Sequence, residues 1–275
     1  MWKNSKHKKL SILSFNTLGT PFFAPKITKR YSHTAHLINI GDYDIVCLQE
    51  IFTYYHLFLF KKILTKFPYV SYKKNTFGPR GGLVIFSKVA LKDPTFTSFT
   101  YPKNIFIPLY TKLAHQGILS ATINDSKIKI ATTHLSSDTT HDLTEKNKLF
   151  ELIRTQSEQV ADTVNGFLKE DRPVILTGDL NIAKNSLLYK SFLKSAKLND
   201  IFLHDETPTY YPDRISYFYR SPRGRCDYIF IKSPHKTIEI LETGYAFSDG
   251  ISNNNGEKTY LSDHIGLQCT LEVNK

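Results

Sequence analysis

The most informative segment of the chain is Pro173-Val174-Ile175-Leu176-Thr177-Gly178-Asp179-Leu180-Asn181. Residues 173–177 form an apolar run with the length of a buried strand, and a glycine follows the run directly. Asp179 and Asn181 stand just beyond the strand, at a position where the edge of a sheet forms a crevice suited to binding and chemistry. The segment therefore predicts a sheet with a polar functional edge.

The same arrangement recurs along the chain. Isolated polar side chains stand at the ends of the other strand-like runs: Asn16, Glu50, His134, Asp227, Asp263 and His264. Taken singly, each of these residues is better explained as a turn residue or a cap. The whole set, rich in Asp, Asn, Glu and His, is much harder to explain in that way. We therefore expect these side chains to share one site.

Strand-like and helix-like segments alternate over the whole chain, without an internal repeat or a low-complexity linker. Predicted strands fall at 10–16, 45–48, 69–72, 83–86, 118–123, 128–133, 173–177, 227–231 and 265–273. Predicted helices, with apolar residues at helical spacing, fall at 55–67, 143–168 and 186–196. The pattern indicates a single α/β domain over residues 1–275, with a basic N-terminal tail at 1–9 and helices outside the sheets.

Composition narrows the class of protein. With 41% hydrophobic and 22% charged residues over 275 positions, the chain is globular rather than disordered. The net charge of +11 favours an anionic partner, which is a nucleic acid, an acidic membrane surface or a phosphorylated substrate. The three cysteines are widely spaced in apolar runs, so we expect buried packing residues and neither a disulfide framework nor a zinc site. No signal peptide or membrane-spanning segment is evident, which predicts a soluble cytoplasmic protein.

The polar residues have compatible chemistry. Four of them offer hard oxygen atoms: Glu50, Asp179, Asn181 and Asp263. Mg²⁺ prefers such ligands and keeps waters that a substrate phosphate can replace. The imidazoles of His134 and His264 can transfer protons or, when charged, stabilise a phosphoryl transition state, and Asp227 could orient one of them. The glycine-rich turn at 78–82 has no Lys-Ser/Thr after it, which disfavours an ATPase.

Six short motifs together resemble the endonuclease/exonuclease/phosphatase superfamily. They are LSFNTLG at 13–19, LQE at 48–50, THL at 133–135, GDLN at 178–181, RCDYIF at 225–230 and LSDH at 261–264. The resemblance implies a four-layer α/β sandwich, with two mixed β-sheets packed face to face and helices outside. It also implies phosphoester hydrolysis with Mg²⁺, which Mn²⁺ can replace. Glu50 would be the principal metal ligand, with Asn16 beside it and Asp263 nearby.

The resemblance implies roles for the remaining residues as well. Asp179 and Asn181 would position the attacking water and the phosphate. His264, paired with Asp227, would be the general base or a phosphate contact. His134, on the opposite side, would stabilise the transition state or donate a proton. The motif pattern leaves the base open between Asp179 and His264. The near-neutral pKa of an ordinary histidine favours His264.

The flanking sequence is most similar to neutral sphingomyelinases and related phospholipases C. This similarity lies in NTLGTPFF at 16–23, GGLVIFSK at 81–88, QGIL at 116–119 and TGY at 243–245. Gln49 departs from that branch, because a second acidic residue often precedes the metal-binding glutamate there. The favoured substrate is thus a phospholipid headgroup. The alternative, supported by the positive charge, is a DNase I-like or DNA-end-processing nuclease acting on nucleic acid.

Two aromatic segments fit either substrate. Residues 54–60, followed by Lys61 and Lys62, could make peripheral contact with a membrane surface together with the Phe22-Phe23 pair, although the buried face of a helix is the better explanation of 54–60. Residues 210–220 mix tyrosine and arginine, so they could surround a quaternary ammonium, stack on bases, or simply form an aromatic edge strand. No obligate protein partner is evident from the sequence.

Overall fold

Two six-stranded β-sheets form the centre of the molecule. A computed structural model describes residues 7–20, 24–124, 126–137, 147, 149–215, 222–252 and 258–274 of the chain. Helices cover the outer faces of both sheets. The helices are α1 (Ile27–Ile40), α2 (Tyr54–Ile63), α3 (Leu109–Ala114), α4 (Phe150–Lys169) and α5 (Leu187–Ala196). This is the α/β sandwich that the resemblance implied.

The first sheet, with strands numbered in chain order, contains both ends of the described chain. Its strands in spatial order are β11 (Ile238–Ala246), β14 (Gly266–Asn274), β1 (His7–Asn16), β2 (Ile45–Gln49), β4 (Val84–Ser87) and β3 (Tyr69–Ser71). β1 and β2 run parallel, and the other neighbouring pairs are antiparallel. The two central strands therefore end at the same edge.

The second sheet repeats this plan. Its strands in spatial order are β5 (Leu91–Ser98), β6 (Gly117–Ile123), β7 (Lys129–His134), β8 (Val174–Asp179), β10 (Asp227–Lys232) and β9 (Asn199–Asp200). β7 and β8 are its parallel pair, and the other neighbours are antiparallel. Two short strands, β12 (Ile251–Ser252) and β13 (Lys258–Thr259), pair separately.

The two-residue period of each strand sorts its side chains between the layers. In β1, Leu10 and Ile12 belong to the core between the two sheets, whereas Leu13 and Phe15 pack in the core under α1 and α2. In β8, Ile175 likewise lies between the sheets, and its neighbours face α4 and α5. Because both faces of the central strands are buried, these strands appear in the sequence as nearly continuous apolar runs.

Several predicted boundaries were wrong. β1 begins at His7, so residues 7–9 of the predicted basic tail pair with the end of β14. The helix predicted at 55–67 ends at Ile63, because Leu64 leaves the helical conformation and Phe67 turns into the core. α4 begins at Phe150, and residues 143–146 and 148 of that prediction lie outside the described residues.

The sequence pattern missed the short elements α3, β9, β12 and β13, and it also missed three longer ones, namely α1, β5 and β11. The buried face of α1 carries Arg30, Tyr31 and Thr34 beside its apolar residues, which hides the helical period of hydrophobicity. β5 and β11 are edge strands whose side chains are mostly exposed, so they lack the apolar runs of the central strands.

Two further expectations concern the cysteines and the membrane. The three cysteines are buried and free, as predicted: Cys47, Cys226 and Cys269. None of the helices in the described part of the chain is long and apolar enough to cross a membrane.

Candidate active site

The polar residues predicted at strand ends meet at one edge of the sandwich. β1 and β2 end side by side, which places Glu50 next to Asn16. In the second sheet, His134 and Asp227 are both in register with Asp179, one on each neighbouring strand. The pairing of the strands thus fixes which side chains are neighbours before any side-chain contact is considered.

Asn16 connects the two sheets at this edge. Its Nδ2 donates to Glu50 Oε1 at 3.1 Å and to Asp179 Oδ2 at 2.9 Å, and all three side chains are buried. The amide oxygen of Asn16 accepts the N–H of Leu18 at 3.0 Å. Asn16 therefore holds one carboxylate of each sheet, and its expected part as a metal ligand stays a prediction.

Glu50 receives hydrogen bonds from the loop after β1. Its Oε2 accepts the N–H groups of Gly19 and Thr20 at 2.8 and 3.1 Å, and the Thr20 hydroxyl at 2.9 Å. Burial opposes ionisation, but the nearby imidazoles of His134 and His264 and these hydrogen bonds outweigh it, so the pKa of Glu50 is lowered. Its φ of 68° is a left-handed conformation that non-glycine residues adopt at a cost, often at functional sites.

Helix α1 fixes this loop from behind. The Arg30 guanidinium donates to the carbonyl oxygens of Thr17 at 2.8 Å and Leu261 at 2.7 Å, which joins the loop after β1 to the turn before β14. The Tyr31 hydroxyl donates to the carbonyl oxygen of Glu50 at 2.8 Å. Each of these buried contacts restricts how far Glu50 can move.

His264 and Asp227 form a buried hydrogen-bonded pair. His264 Nδ1 lies 2.8 Å from Asp227 Oδ2, and His264 Nε2 lies 3.7 Å from Asp179 Oδ2. Burial alone would lower the pKa of His264, but the Asp227 and Asp179 carboxylates outweigh it and raise that pKa well above its ordinary value. The Tyr210 ring packs against the imidazole at 5.0 Å between centroids. Nε2 is consequently the imidazole atom that faces the site.

Asp179 lies between the two imidazoles. His134 Nε2 is 3.7 Å from Asp179 Oδ2, while His134 Nδ1 is buried without a hydrogen-bond partner. The N–H of Asn181 donates to Asp179 Oδ1 at 2.8 Å, and Asn181 Nδ2 donates to the carbonyl oxygen of Leu135 at 3.0 Å. Burial and the neighbouring Asp227 charge raise the pKa of Asp179 despite the two histidines.

The acids at this edge fit a hard divalent cation. Asp263 is buried with its Oδ1 at 4.0 Å from His264 Nε2. Burial raises the pKa of Asp263 to about 6 against the opposing effect of His264, and the charge of Glu50 adds to the rise. Arg30 directs its donors to backbone carbonyls, so among the described residues neither Glu50 nor Asp263 has a Lys or Arg ion-pair partner. Two buried carboxylates without such a partner are a suitable donor set for Mg²⁺.

All the side chains predicted for the site are thus gathered at one edge: Asn16, Glu50, His134, Asp179, Asn181, Asp227, Asp263 and His264. Their individual roles stay predictions. The sequence did not indicate Arg30, which lies on the unpredicted helix α1. It also did not indicate that the Cys226 thiol lies against the Asp227 carboxylate. Gln49, the departure from the sphingomyelinase pattern, donates to Thr132 Oγ1 at 3.0 Å between the sheets and does not face the site.

Comparisons with known proteins agree with this geometry. The model of the Endonuclease/Exonuclease/phosphatase family matches residues 13–264. The chain belongs to this family.

Three relatives illustrate the range of the family. "Putative neutral sphingomyelinase" of Drosophila melanogaster is 25% identical over 286 residues, which cover 97% of this chain and 61% of the relative. The chain thus spans about three-fifths of the length of that relative. The Staphylococcus aureus beta toxin structure is 20% identical, with a TM-score of 0.70 and coverage of 94% and 99% of the two chains. The D. rerio TDP2 structure with a single-strand DNA product is 18% identical, with a TM-score of 0.68 and coverage of 96% and 98%. At these identities the two structures establish the fold.

Proposed function

We propose that this chain is a Mg²⁺-dependent phosphodiesterase that cleaves phospholipid headgroups, as a sphingomyelinase-like phospholipase C. The observation that carries the proposal is the match to the Drosophila relative over 97% of the chain, together with the complete set of acids, amides and imidazoles at the site. The substrate would be a choline phosphodiester at a membrane surface, and the products would be a phosphomonoester and a lipid alcohol.

Glu50 and Asp263 would hold the metal, with Asn16 as the third predicted ligand. A divalent cation held by these oxygens, Mg²⁺ or Mn²⁺ in its place, would make a water more acidic and would neutralise charge on the phosphate. Arg30, Thr20 and Asn16 keep the Glu50 carboxylate in place through the contacts described above. A carboxylate fixed in this way does not have to reorganise during the reaction.

His264 is the base in this proposal, and His134 is the acid. His264 Nε2 takes the proton of the attacking water, and Asp227 stabilises the resulting imidazolium through Nδ1–H. Water attacks phosphorus, the bond from phosphorus to the lipid oxygen breaks, and His134 donates a proton to that leaving oxygen. Asp179 and Asn181 orient the water and the phosphate. The neighbouring carboxylates raise the pKa of His264, and a divalent cation bound nearby would oppose that rise.

An aromatic face beside the site supports a membrane substrate. α2 begins four residues after Glu50, and on it Tyr55 and Phe58 are 64% and 66% exposed. Phe77 is 79% exposed, and its carbonyl oxygen accepts the N–H at the start of α2. Lys61 lies over the Phe58 ring and Lys62 follows it, so the helix combines apolar and cationic side chains as interfacial helices do. Phe22 and Phe23, also expected at this interface, lie outside the described residues.

A nuclease is the second candidate, and one observation favours it. The Arg214 guanidinium lies over the rings of Tyr211 and Tyr260, at 3.9 and 4.6 Å from their centroids, and Arg214 Nη1 has no hydrogen-bond partner. The N–H of Tyr211 donates to the carbonyl oxygen of Asp263, which places this stack next to the site. Such a stack suits the bases and phosphates of a nucleic acid. Residues 216–220 of the predicted aromatic segment lie outside the described residues.

The decisive experiment compares both substrates with the same preparations. Sphingomyelin vesicles and labelled single-stranded DNA are each incubated with the wild type and His264→Ala, with Mg²⁺ and with a chelator. We expect phosphocholine release only by the wild type and only when Mg²⁺ is present. DNA cleavage without phosphocholine release would establish the nuclease instead. Equal rates for His264→Ala would refute both assignments of the site.

A further inference from the structure

Cys226 brings a thiol into the site beside the proposed base. It is 4% exposed, and its Sγ lies 3.6 Å from Asp227 Oδ2 and 3.9 Å from Thr209 Oγ1. One ligand atom each from Asp179, Cys226 and His264 lie within 4.8 Å of one another. Position 226 was expected to hold a packing residue, and spacing along the chain could not show this convergence, because the three residues come from different segments.

This group of three has different chemistry from the Glu50–Asp263 acids. A thiolate, an imidazole nitrogen and a carboxylate oxygen are the ligands of Zn²⁺ and of softer divalent ions, whereas Mg²⁺ takes oxygen ligands. Three protein ligands with an open fourth position are a common arrangement for Zn²⁺. Bonds of about 2.0–2.3 Å in a tetrahedral site hold ligand atoms about 3.3–3.8 Å apart. His264 Nε2 and Asp179 Oδ2, at 3.7 Å, already meet that spacing, and Cys226 Sγ lies within 4.8 Å of one ligand atom of each of these two residues.

We propose that Asp179, Cys226 and His264 form an inhibitory site for thiophilic divalent cations, with Zn²⁺ and Cd²⁺ as the ions it takes. Binding converts the Cys226 thiol to a thiolate, whose proton goes to solvent. His264 binds the ion through Nε2, and Asp227 is already placed on Nδ1 as the carboxylate that orients a metal-bound histidine.

Inhibition follows from the shared ligands and rests on the proposed function. His264 Nε2 and Asp179 cannot bind a soft cation and serve hydrolysis at the same time. The other two thiols are unsuited to this effect, because Cys47 and Cys269 are buried in the core between the sheets. They also provide a matched control.

The site is tested first without any substrate. Cd²⁺ is titrated into the metal-free wild type, Cys226→Ala and Cys269→Ala, and the ultraviolet charge-transfer absorption of a Cd²⁺–thiolate bond is recorded. We expect one equivalent to bind with this absorption in the wild type and in Cys269→Ala. In Cys226→Ala the absorption is lost and the apparent Kd rises at least about tenfold, since losing even an outer partner of a ligand costs about 10–100-fold. Absorption that persists in Cys226→Ala, or none in the wild type, overturns the site.

The second measurement concerns turnover on whichever phosphodiester the enzyme cleaves. Zn²⁺ is titrated at fixed excess Mg²⁺, and each variant is compared with its own uninhibited rate. Cys226→Ala should need at least about tenfold more Zn²⁺ for half-inhibition, whereas Cys269→Ala should match the wild type. Equal inhibition of all three, relieved by added Mg²⁺, would place the Zn²⁺ at Glu50 and Asp263 and overturn the proposal.

Two safeguards keep the outcomes distinct. If Cys226→Ala unfolds, as circular dichroism would show, Cys226→Ser is measured in its place, because serine nearly keeps the size of the side chain and can still hydrogen-bond, but has no thiolate. A thiolate absorption in a protein that releases no phosphocholine would leave the metal site standing and refute the proposed lipid substrate alone.

Discussion

Replacing Asp227 with asparagine tests the pairing at the centre of the mechanism. Asp227 is 2% exposed and its Oδ2 lies 2.8 Å from His264 Nδ1, so the change removes a buried charge-assisted hydrogen bond. Such a bond contributes about 1.5–3 kcal/mol, which is about 10–100-fold in rate at 1.36 kcal/mol for each factor of ten. If the new amide donates to Nδ1, Nε2 carries the proton and cannot act as a base, and the same change in a serine protease lowers kcat about 10⁴-fold. We expect kcat to fall by about 10–10⁴-fold.

The assay is steady-state hydrolysis over a range of pH, with circular dichroism to verify folding. Removing the carboxylate that raises the pKa of His264 lowers that pKa, so the base loses its proton at lower pH. The acid limb of kcat/KM, which reports the free enzyme, should therefore move to lower pH. Asp171→Asn is the matched control, since Asp171 makes a 3.0 Å pair with His235 in which both side chains are exposed. A folded Asp227→Asn enzyme that keeps more than about a tenth of the wild-type kcat would refute the reasoning, because even the weakest estimate is a tenfold loss.

Three further predictions concern the metal, stability and the membrane. Glu50→Gln should raise the Mg²⁺ concentration for half-maximal activity at least about tenfold. The measurement is a Mg²⁺ titration, with Glu239→Gln at an exposed position as the control. An unchanged midpoint would contradict the assignment of Glu50 as a metal ligand. Arg225→Met leaves the Asp200 carboxylate buried without its ion-pair partner. The free energy of unfolding, measured in urea, should therefore fall by about 3–5 kcal/mol. A loss below about 1 kcal/mol would show that this ion pair does not stabilise the fold. Phe58→Ser should weaken vesicle binding about tenfold in a sedimentation assay, because burying an aromatic ring contributes about 1.5–3 kcal/mol. Hydrolysis of a soluble choline phosphodiester should stay unchanged. Equal losses of activity on vesicles and on the soluble substrate would argue against an interfacial role for Phe58.

The parts of the fold that the sequence predicts are those whose side chains meet a single environment. The strand at 173–177 is predictable because both of its faces are buried, so every residue of the run is apolar or small. Helix α1 is not predictable in this way, because its buried face includes Arg30, which is stabilised by carbonyl oxygens distant in sequence. Local hydrophobicity contains no information about such contacts.

The site shows the same division. Asp179 and Glu50 could be identified because each follows an apolar strand, and a charged residue next to a buried strand indicates a functional role. Their mutual arrangement depends on strand order and on the parallel pairing of β1 with β2 and β7 with β8, which the sequence leaves open. Cys226 shows the limit most clearly, since an apolar context indicated packing and only the folded chain brings its sulfur to Asp179 and His264.

The bridge that Asn16 makes between Glu50 and Asp179 has a consequence for how this enzyme would tolerate change in its interior. Half of the reactive groups belong to one sheet and half to the other, so catalytic distances measure how the two sheets are aligned. A substitution in the layer between the sheets, far from any substrate, could shift one sheet against the other. Activity would then be lost while every helix and strand remains formed. Turnover should then fail at a lower temperature than the circular dichroism signal, and the interior of the sandwich should accept mutations according to the alignment they preserve rather than the volume they fill.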